Sequence, residues 1–262
     1  MPEPQLLHTW ILALGAIAIP AALCWIASIP LRDVSIVDRA WSLLFVAAAL
    51  VYALGVGPAK PRVLLTGALL AAWALRLALH ITVRNWGHGE DRRYQQIRRN
   101  HEPGFAWKSL YIVFGLQAVL AWIISLPLLG SMAGDRPPGW RDVPGVALWS
   151  VGFACEWLAD SQLTRFRARK THAGAVLDTG LWRYSRHPNY FGECCQWWGF
   201  YLLAVSAGAW WTIVAPLLMT LLLLRVSGVA LLERDIGARR PAYRDYVART
   251  NAFIPGPRRA AR

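Results

Sequence analysis

The sequence predicts an all-α polytopic membrane protein, a seven-transmembrane-helix bundle with its N-terminus outside and its C-terminus cytoplasmic. Three observations predict it. Hydrophobic residues make up 56% of the 262 and charged residues only 16%, where a soluble domain carries about 25% charged residues. The apolar residues fall in blocks close to the ~20 residues that cross a bilayer as a helix. Basic residues gather in alternate gaps between those blocks, as they do on the cytoplasmic side of membrane proteins.

The blocks run in order as Leu6–Ile29, Ala40–Gly57, Val63–Val83, Leu110–Met132, Val143–Ala159, Tyr190–Ala207 and Trp210–Leu232. The second, fifth and sixth are short. Asp135–Trp140 (DRPPGW) punctuates the outer turn after the fourth block. Only Gly208 and its neighbours separate the sixth from the seventh, which predicts a tight helical hairpin. No repeat, low-complexity run or second domain interrupts the series, so residues 1–262 read as one domain.

Orientation follows from the gaps. With the N-terminus outside, the inner segments Pro30–Arg39, Arg84–Lys108, Asp160–Asn189 and the tail after Leu232 hold 2, 6, 6 and 8 Lys or Arg. The outer gaps hold four, namely Lys60, Arg62, Arg136 and Arg141. The positive-inside rule therefore sets the C-terminus in the cytoplasm. Trp107, Trp140, Trp210 and Trp211 stand at block ends, where interfacial aromatics belong.

The net charge of +13 does not indicate nucleic acid, because the cations are distributed between apolar blocks and form no basic domain. Cys24, Cys155, Cys194 and Cys195 lack metal-ligand spacing and read as free thiols buried in helices. Glu3 and the absence of a basic leader predict no cleaved signal peptide.

Charges at membrane depth are costly and usually functional. Arg76 and His80 lie one turn apart in the third block, and Glu156 and Asp160 one turn apart in the fifth. Asp38 opens the second block, where an Asp also serves as an N-cap. Arg76 also fits a bundle-stabilising ion pair, and His80 a satisfied core histidine. The densest polar stretch is Leu181–Glu193, LWRYSRHPNYFGE. Proline disfavours helix at the residue before it, so His187 marks the start of the sixth helix. Asn189 and Glu193 then share a face. Arg165, Arg167 and Arg169 precede this stretch, and Arg239, Arg240, Tyr243 and Tyr246 follow in the tail. Arginines at this spacing suit a juxtamembrane face on anionic lipid. In this number, beside aromatic residues, they also suit a polyanionic aromatic ligand such as a dinucleotide. No GxGxxG, HExxH, CxxC or GxSxG pattern occurs, so a Rossmann site, a metal and a serine hydrolase are not expected.

DTGLWRYSRHPNYFGE, with the tail LLERDIG and RRPAYRDYVARTNAFIP, resembles the C-terminal signature of steroid 5-alpha-reductases. Sterol C14- and C24-reductases and isoprenylcysteine carboxyl methyltransferases share that signature. SIVDRAW, WALRLALHITVRN and GEDRRY resemble the bacterial steroid 5-alpha-reductase-like family. The resemblance implies a multi-pass protein of the bacterial inner membrane, an NADPH-dependent oxidoreductase. Its substrate would be a small hydrophobic enone lipid, such as a 3-oxo-delta-4 steroid, and its surroundings membrane lipid. The cofactor site would lie mainly in 156–255 and the substrate half in 30–110.

By position in the motif, the resemblance assigns Arg76, Asp160, Arg167, Tyr184, Arg186, His187, Asn189, Glu193 and Tyr246 to the cofactor. Arg240 and Tyr243 join them by proximity. The chemistry implied is hydride delivery to the β-carbon, with a hydrogen-bond donor stabilising charge on the ketone oxygen. The family uses a Glu on the second helix with a Tyr on the third. The matching positions here are Asp38 and Trp73, Asp38 acting as the acid if burial keeps it protonated. Tyr94 in GEDRRY is a further donor, expected in a loop. The other activity within the resemblance is S-adenosylmethionine-dependent methyl transfer of the isoprenylcysteine type.

Overall fold

The computed structural model describes residues 3–169, 175–226, 229 and 242–259. Among them every regular element is helical. Four helical runs are long and apolar enough to cross a membrane: α1 (Glu3–Leu31), α2 (Ile36–Val56), α3 (Pro61–Asn85) and the run Phe105–Ala133. That run joins α5 (Phe105–Ser109), a π-helical turn (Leu110–Gly115), α6 (Leu116–Ile124) and α7 (Leu126–Ala133). The expected seven crossings are thus met by four among the described residues. The described parts of the last three apolar blocks are helical too, but α8 (Val143–Ala168) carries Glu156, Asp160, Arg165 and Arg167. α9 (Pro188–Ser206) carries Asn189, Glu193 and Gln196 within 19 residues. The described residues of the seventh block include a 3-10 turn, α10 (Val214–Leu221) and a second π turn at Leu222–Val226.

Two helices fall where the sequence suggested none. α4 (Arg92–His101) occupies the gap after α3, and α11 (Ala242–Arg249) occupies the tail. Asp91 caps α4, its Oδ1 accepting the Arg93 amide at 2.9 Å. Prolines stand at or next to the first residue of α3, α7 and α8, where a missing N–H costs nothing. Gly57 ends α2 with φ +106°, and Gly208 turns the chain after α9 with φ +91°, conformations that glycine adopts without strain.

The chain divides into two compact units, Met1–Trp140 with Leu203–Thr212 and Arg141–Leu202 with Ile213–Arg262. In the first, α1 buries Thr9, Ala13, Ile17 and Ala21, a stripe of mostly small residues four apart. Small residues let spanning helices approach closely where lipid supplies no hydrophobic drive. Hydroxyls then tie the helices together: Tyr52 Oη meets Ser125 Oγ at 2.6 Å, Thr66 Oγ1 meets Ser131 Oγ at 2.8 Å, and Ser42 Oγ donates to the Ala74 carbonyl at 2.8 Å. Trp10 and Trp122 stack at 3.8 Å, and each indole donates to the other's carbonyl.

The second unit is organised by glycines. A Cβ on Gly152 would lie 2.5 Å from the Gly192 carbonyl oxygen, and one on Gly192 would lie 2.5 Å from the Gly152 carbonyl oxygen. One on Gly199 would lie 2.8 Å from the Gly145 carbonyl oxygen. α8 and α9 therefore run antiparallel with backbones nearly touching. Gly145 faces Gly199 and Gly152 faces Gly192, seven residues apart on each helix. α10 joins this pair through Thr220, whose Oγ1 accepts the Trp198 indole at 3.1 Å and meets Cys194 Sγ at 3.3 Å.

Candidate functional site

The glycine register decides which polar residues meet in the second unit. One turn beyond Gly152, buried Glu156 accepts from Gln196 Nε2 at 2.7 Å. One turn further, buried Asp160 accepts from Asn189 Nδ2 at 3.2 Å. Glu193, four residues after Asn189, is 8% exposed. Gln196 is fully buried, and among the described residues its Oε1 has no hydrogen-bond partner. An unmatched buried acceptor costs about 1–3 kcal/mol.

The LWRYSRHPNYFGE stretch docks on α8. Leu181 N donates to Gln162 Oε1 at 3.0 Å, and the Trp182 indole donates to the Ala159 carbonyl at 3.1 Å. Gly180 adopts φ +60° and lies so close to Gln162 that a Cβ would sit 2.6 Å from its amide. As the sequence indicates, α9 begins at Pro188, directly after His187. The buried His187 ring stacks on Tyr190, with centroids 5.6 Å apart.

Two of the residues assigned to the cofactor hold this stretch to the tail. Arg186, 9% exposed, donates through Nη1 to the carbonyls of Val247 at 3.0 Å and Thr250 at 2.7 Å, closing the C-terminal end of α11. Tyr246 Oη donates to the carbonyls of Trp182 and Ser185. Tyr243 packs edge-on against Tyr246. Burial pushes the Tyr246 phenol up well beyond its ordinary range, with the neighbouring Tyr243 adding to the rise. Arg258 pairs with Asp178 at 2.6 Å. Replacing Arg186 with alanine leaves at least two carbonyls without their donor, which predicts a loss of about 2–4 kcal/mol. Thermal unfolding in detergent checks this, and an unchanged midpoint would remove Arg186 from the scaffold.

Arg167 and Tyr184 remain exposed. Asp160 and Arg167 stand two turns apart on one helix, so they share a face. Arg240 lies outside the described residues.

In the first unit, Asp38 and Tyr94 come together. Tyr94 stands on α4, and the loop expected there is absent because α4 packs its apolar side on the core cluster Val34, Val37, Phe105, Val113 and Phe114. Tyr94 Oη donates to Asp38 Oδ1 at 2.6 Å, and Arg93 Nη2 donates to Asp38 Oδ2 at 2.8 Å. Asp38 is therefore an acceptor at both oxygens, one facing the Arg93 guanidinium and the other the Tyr94 hydroxyl. Asp38 is not the N-cap of α2, which is Ser35. Burial raises the Tyr94 phenol well above its ordinary range, and the Asp38 carboxylate raises it further. Gln117 Nε2 donates to Tyr94 Oη at 3.0 Å.

Trp73 is fully buried on α3, edge-on to Phe45 at 5.6 Å. Arg76, one turn on, is partly buried in this first unit. In the same unit, Glu90 accepts the Val34 amide and both Nε and Nη2 of Arg98. Although burial opposes it, these bonds hold the Glu90 carboxyl below its usual range. Arg98 lies 4.6 Å over the Phe105 ring.

The sequence reading missed Arg93, Gln117 and the pairing of Gln196 with Glu156. Gln117 and Gln196 each interrupt an apolar block, and that isolation was the available signal.

A family profile described as "Protein of unknown function (DUF1295)" matches residues 24–250. The chain belongs to this family. It is similar to an uncharacterised protein of Schizosaccharomyces pombe, C594.04c, with 28% identity over 264 residues, covering 88% of this chain and 75% of the relative. No solved structure matches the chain.

Proposed function

Starting from membership of the DUF1295 family, which is associated with steroid 5-alpha-reductase-like proteins, we propose that this chain is an NADPH-dependent membrane reductase. Its substrate is the carbon–carbon double bond of an enone lipid such as a 3-oxo-delta-4 steroid. The observation that carries the reading is the buried acid–amide ladder of the second unit, Asn189 on Asp160 and Gln196 on Glu156. Such a ladder is expensive in apolar surroundings unless it binds something.

The donors and acceptors fit the group. Asn189, Glu193 and Gln196 offer the mixed set that a nicotinamide carboxamide needs. Exposed Arg167, on the Asp160 face, suits a 2′-phosphate. NADPH, when bound, supplies the hydride. The chain's own task is to orient it, and the donor proposed for the ketone oxygen is the Tyr94 hydroxyl. Asp38, already accepting from Arg93, orients that hydroxyl.

Under the same reading the chain crosses a bacterial cell membrane seven times, N-terminus outside and C-terminus in the cytoplasm. The one-sided distribution of lysine and arginine supports that orientation. Methyl transfer from S-adenosylmethionine is the competing activity, and a sulfonium has no use for the arginines.

Arg167→Ala tests the phosphate assignment. It is expected to weaken NADPH by about tenfold, a loss of ~1.4 kcal/mol, and to leave NADH nearly unchanged. Titrations of both nucleotides by fluorescence check it, and equal losses would refute the assignment.

A further inference from the structure

We propose that Gln117 is a positioning residue for the Tyr94 hydroxyl, aimed there by the π-helical turn that precedes it. This rests on the reading of Tyr94 as the donor of the reductase. Three observations lead to it.

Gln117 is a carboxamide inside a run of 29 residues that is otherwise almost wholly apolar. A polar side chain at such depth is retained for a purpose. Its one described side-chain hydrogen bond goes from Nε2 to Tyr94 Oη, at 3.0 Å.

The second observation is the backbone. Leu110–Gly115 is wound as a π-helix directly before α6. A π turn widens the helix and changes its phase by about one residue, and such turns are concentrated at functional sites. Gly115 accommodates it: a Cβ there would lie 3.0 Å from the Leu110 carbonyl oxygen. The phase change sets which residue of α6 faces Tyr94, and that residue is the only carboxamide in the run.

The third observation is the geometry around the phenol. Tyr94 Oη donates its single proton to Asp38 at 2.6 Å and accepts from Gln117 at 3.0 Å. Without Gln117 the hydroxyl rotor has one anchor, and with it the rotor has two. Arg93, which also donates to Asp38 and to Asp91, fixes the other end. The chain Gln117–Tyr94–Asp38–Arg93–Asp91 thus holds one hydroxyl proton on a defined line. A ligand oxygen arriving at Tyr94 competes with Asp38 for that proton and need not order the ring first.

A purely structural clamp and a positioned hydroxyl make different predictions about the titration of Tyr94. Gln117 donates to the phenol oxygen, which favours the phenolate, whereas Asp38 is a negative neighbour that disfavours it. The test uses full-length protein in detergent, labelled with 3-fluorotyrosine, and reads the ¹⁹F resonance of residue 94, assigned with Tyr94→Phe. Gln117→Met, nearly isosteric and apolar, is expected to fold and to move the ionisation midpoint up. Gln117→Glu is expected to move it further up, and Asp38→Asn to move it down. Opposed shifts support the proposal. A midpoint unmoved in Gln117→Met, or shifts of the same sign in Gln117→Met and Asp38→Asn, would overturn it.

With an accepted enone, Gln117→Met should also lower kcat on the order of tenfold, about the rate equivalent of one lost hydrogen bond. KM and stabilisation by NADPH should stay unchanged. If NADPH does not stabilise the unmodified protein, the reductase reading fails, while the ¹⁹F titration still decides whether Gln117 positions Tyr94.

Discussion

Gly192→Leu is expected to cost this protein most of its folded fraction. The position has no room, since a Cβ alone would lie 2.5 Å from the Gly152 carbonyl oxygen and 2.6 Å from the Glu156 amide nitrogen. Both are backbone atoms of α8, so no side-chain rotation relieves the contact and the two helices must separate. Overpacking in a core costs roughly 1–3 kcal/mol even when side chains can yield. Here the cost should reach the top of that range or exceed it. Separation would also pull Gln196 from Glu156 and Asn189 from Asp160, so that each buried carboxylate loses a donor. The detergent-solubilised variant should unfold about 10 °C lower or more, taking ~2–4 °C per kcal/mol for a chain of this size. Gly67→Ala is the control: nothing lies within 4 Å of a Cβ there, and alanine is the better helix former. Its midpoint should be unchanged or slightly higher. If Gly192→Leu behaves like Gly67→Ala, the glycine register of α8 and α9 is wrong.

That register was only partly legible in the sequence. Hydropathy located the helices, because apolar blocks near 20 residues admit few other interpretations. The seven-residue spacing of Gly145 with Gly152 and of Gly192 with Gly199 was present in the sequence, yet spacing within one helix does not say which helix it faces. Tyr94 was legible as a donor but not as a helical residue. Arg92–His101 is so polar that its pattern reads as loop, and Ile97 and Tyr94 alone mark its buried side. Arg186 illustrates the opposite difficulty. An arginine in a polar motif beside other arginines suggests an anion, while the structure turns its guanidinium to two carbonyls of the tail. Only the fold brings Val247 and Thr250 within reach of a residue more than sixty positions earlier.

The second large effect is on activity. Asn189→Ala and Glu193→Gln should each reduce enone-dependent NADPH oxidation by about thirtyfold or more. Asn189→Ala removes the donor to Asp160 and leaves that buried carboxylate one partner poorer. Truncating one partner of a buried hydrogen-bonded charge costs about 2–5 kcal/mol at a binding site, which is a factor of thirty to several thousand. Glu193→Gln keeps the shape of the side chain and removes its charge, so it separates an electrostatic role from packing. Both variants should remain folded, because the glycine seam and the Arg186 anchor are untouched. Turnover at the unmodified rate in both would remove these residues from the site.

The most direct measurement is thermal unfolding of the purified protein in detergent with NADPH, NADH or S-adenosylmethionine. A ligand that binds only the folded state stabilises it by RT ln(1 + [L]/Kd), about 2.7 kcal/mol at a hundredfold excess over Kd. The account predicts a clear rise with NADPH, a smaller one with NADH and none with S-adenosylmethionine. A rise with S-adenosylmethionine alone would contradict it.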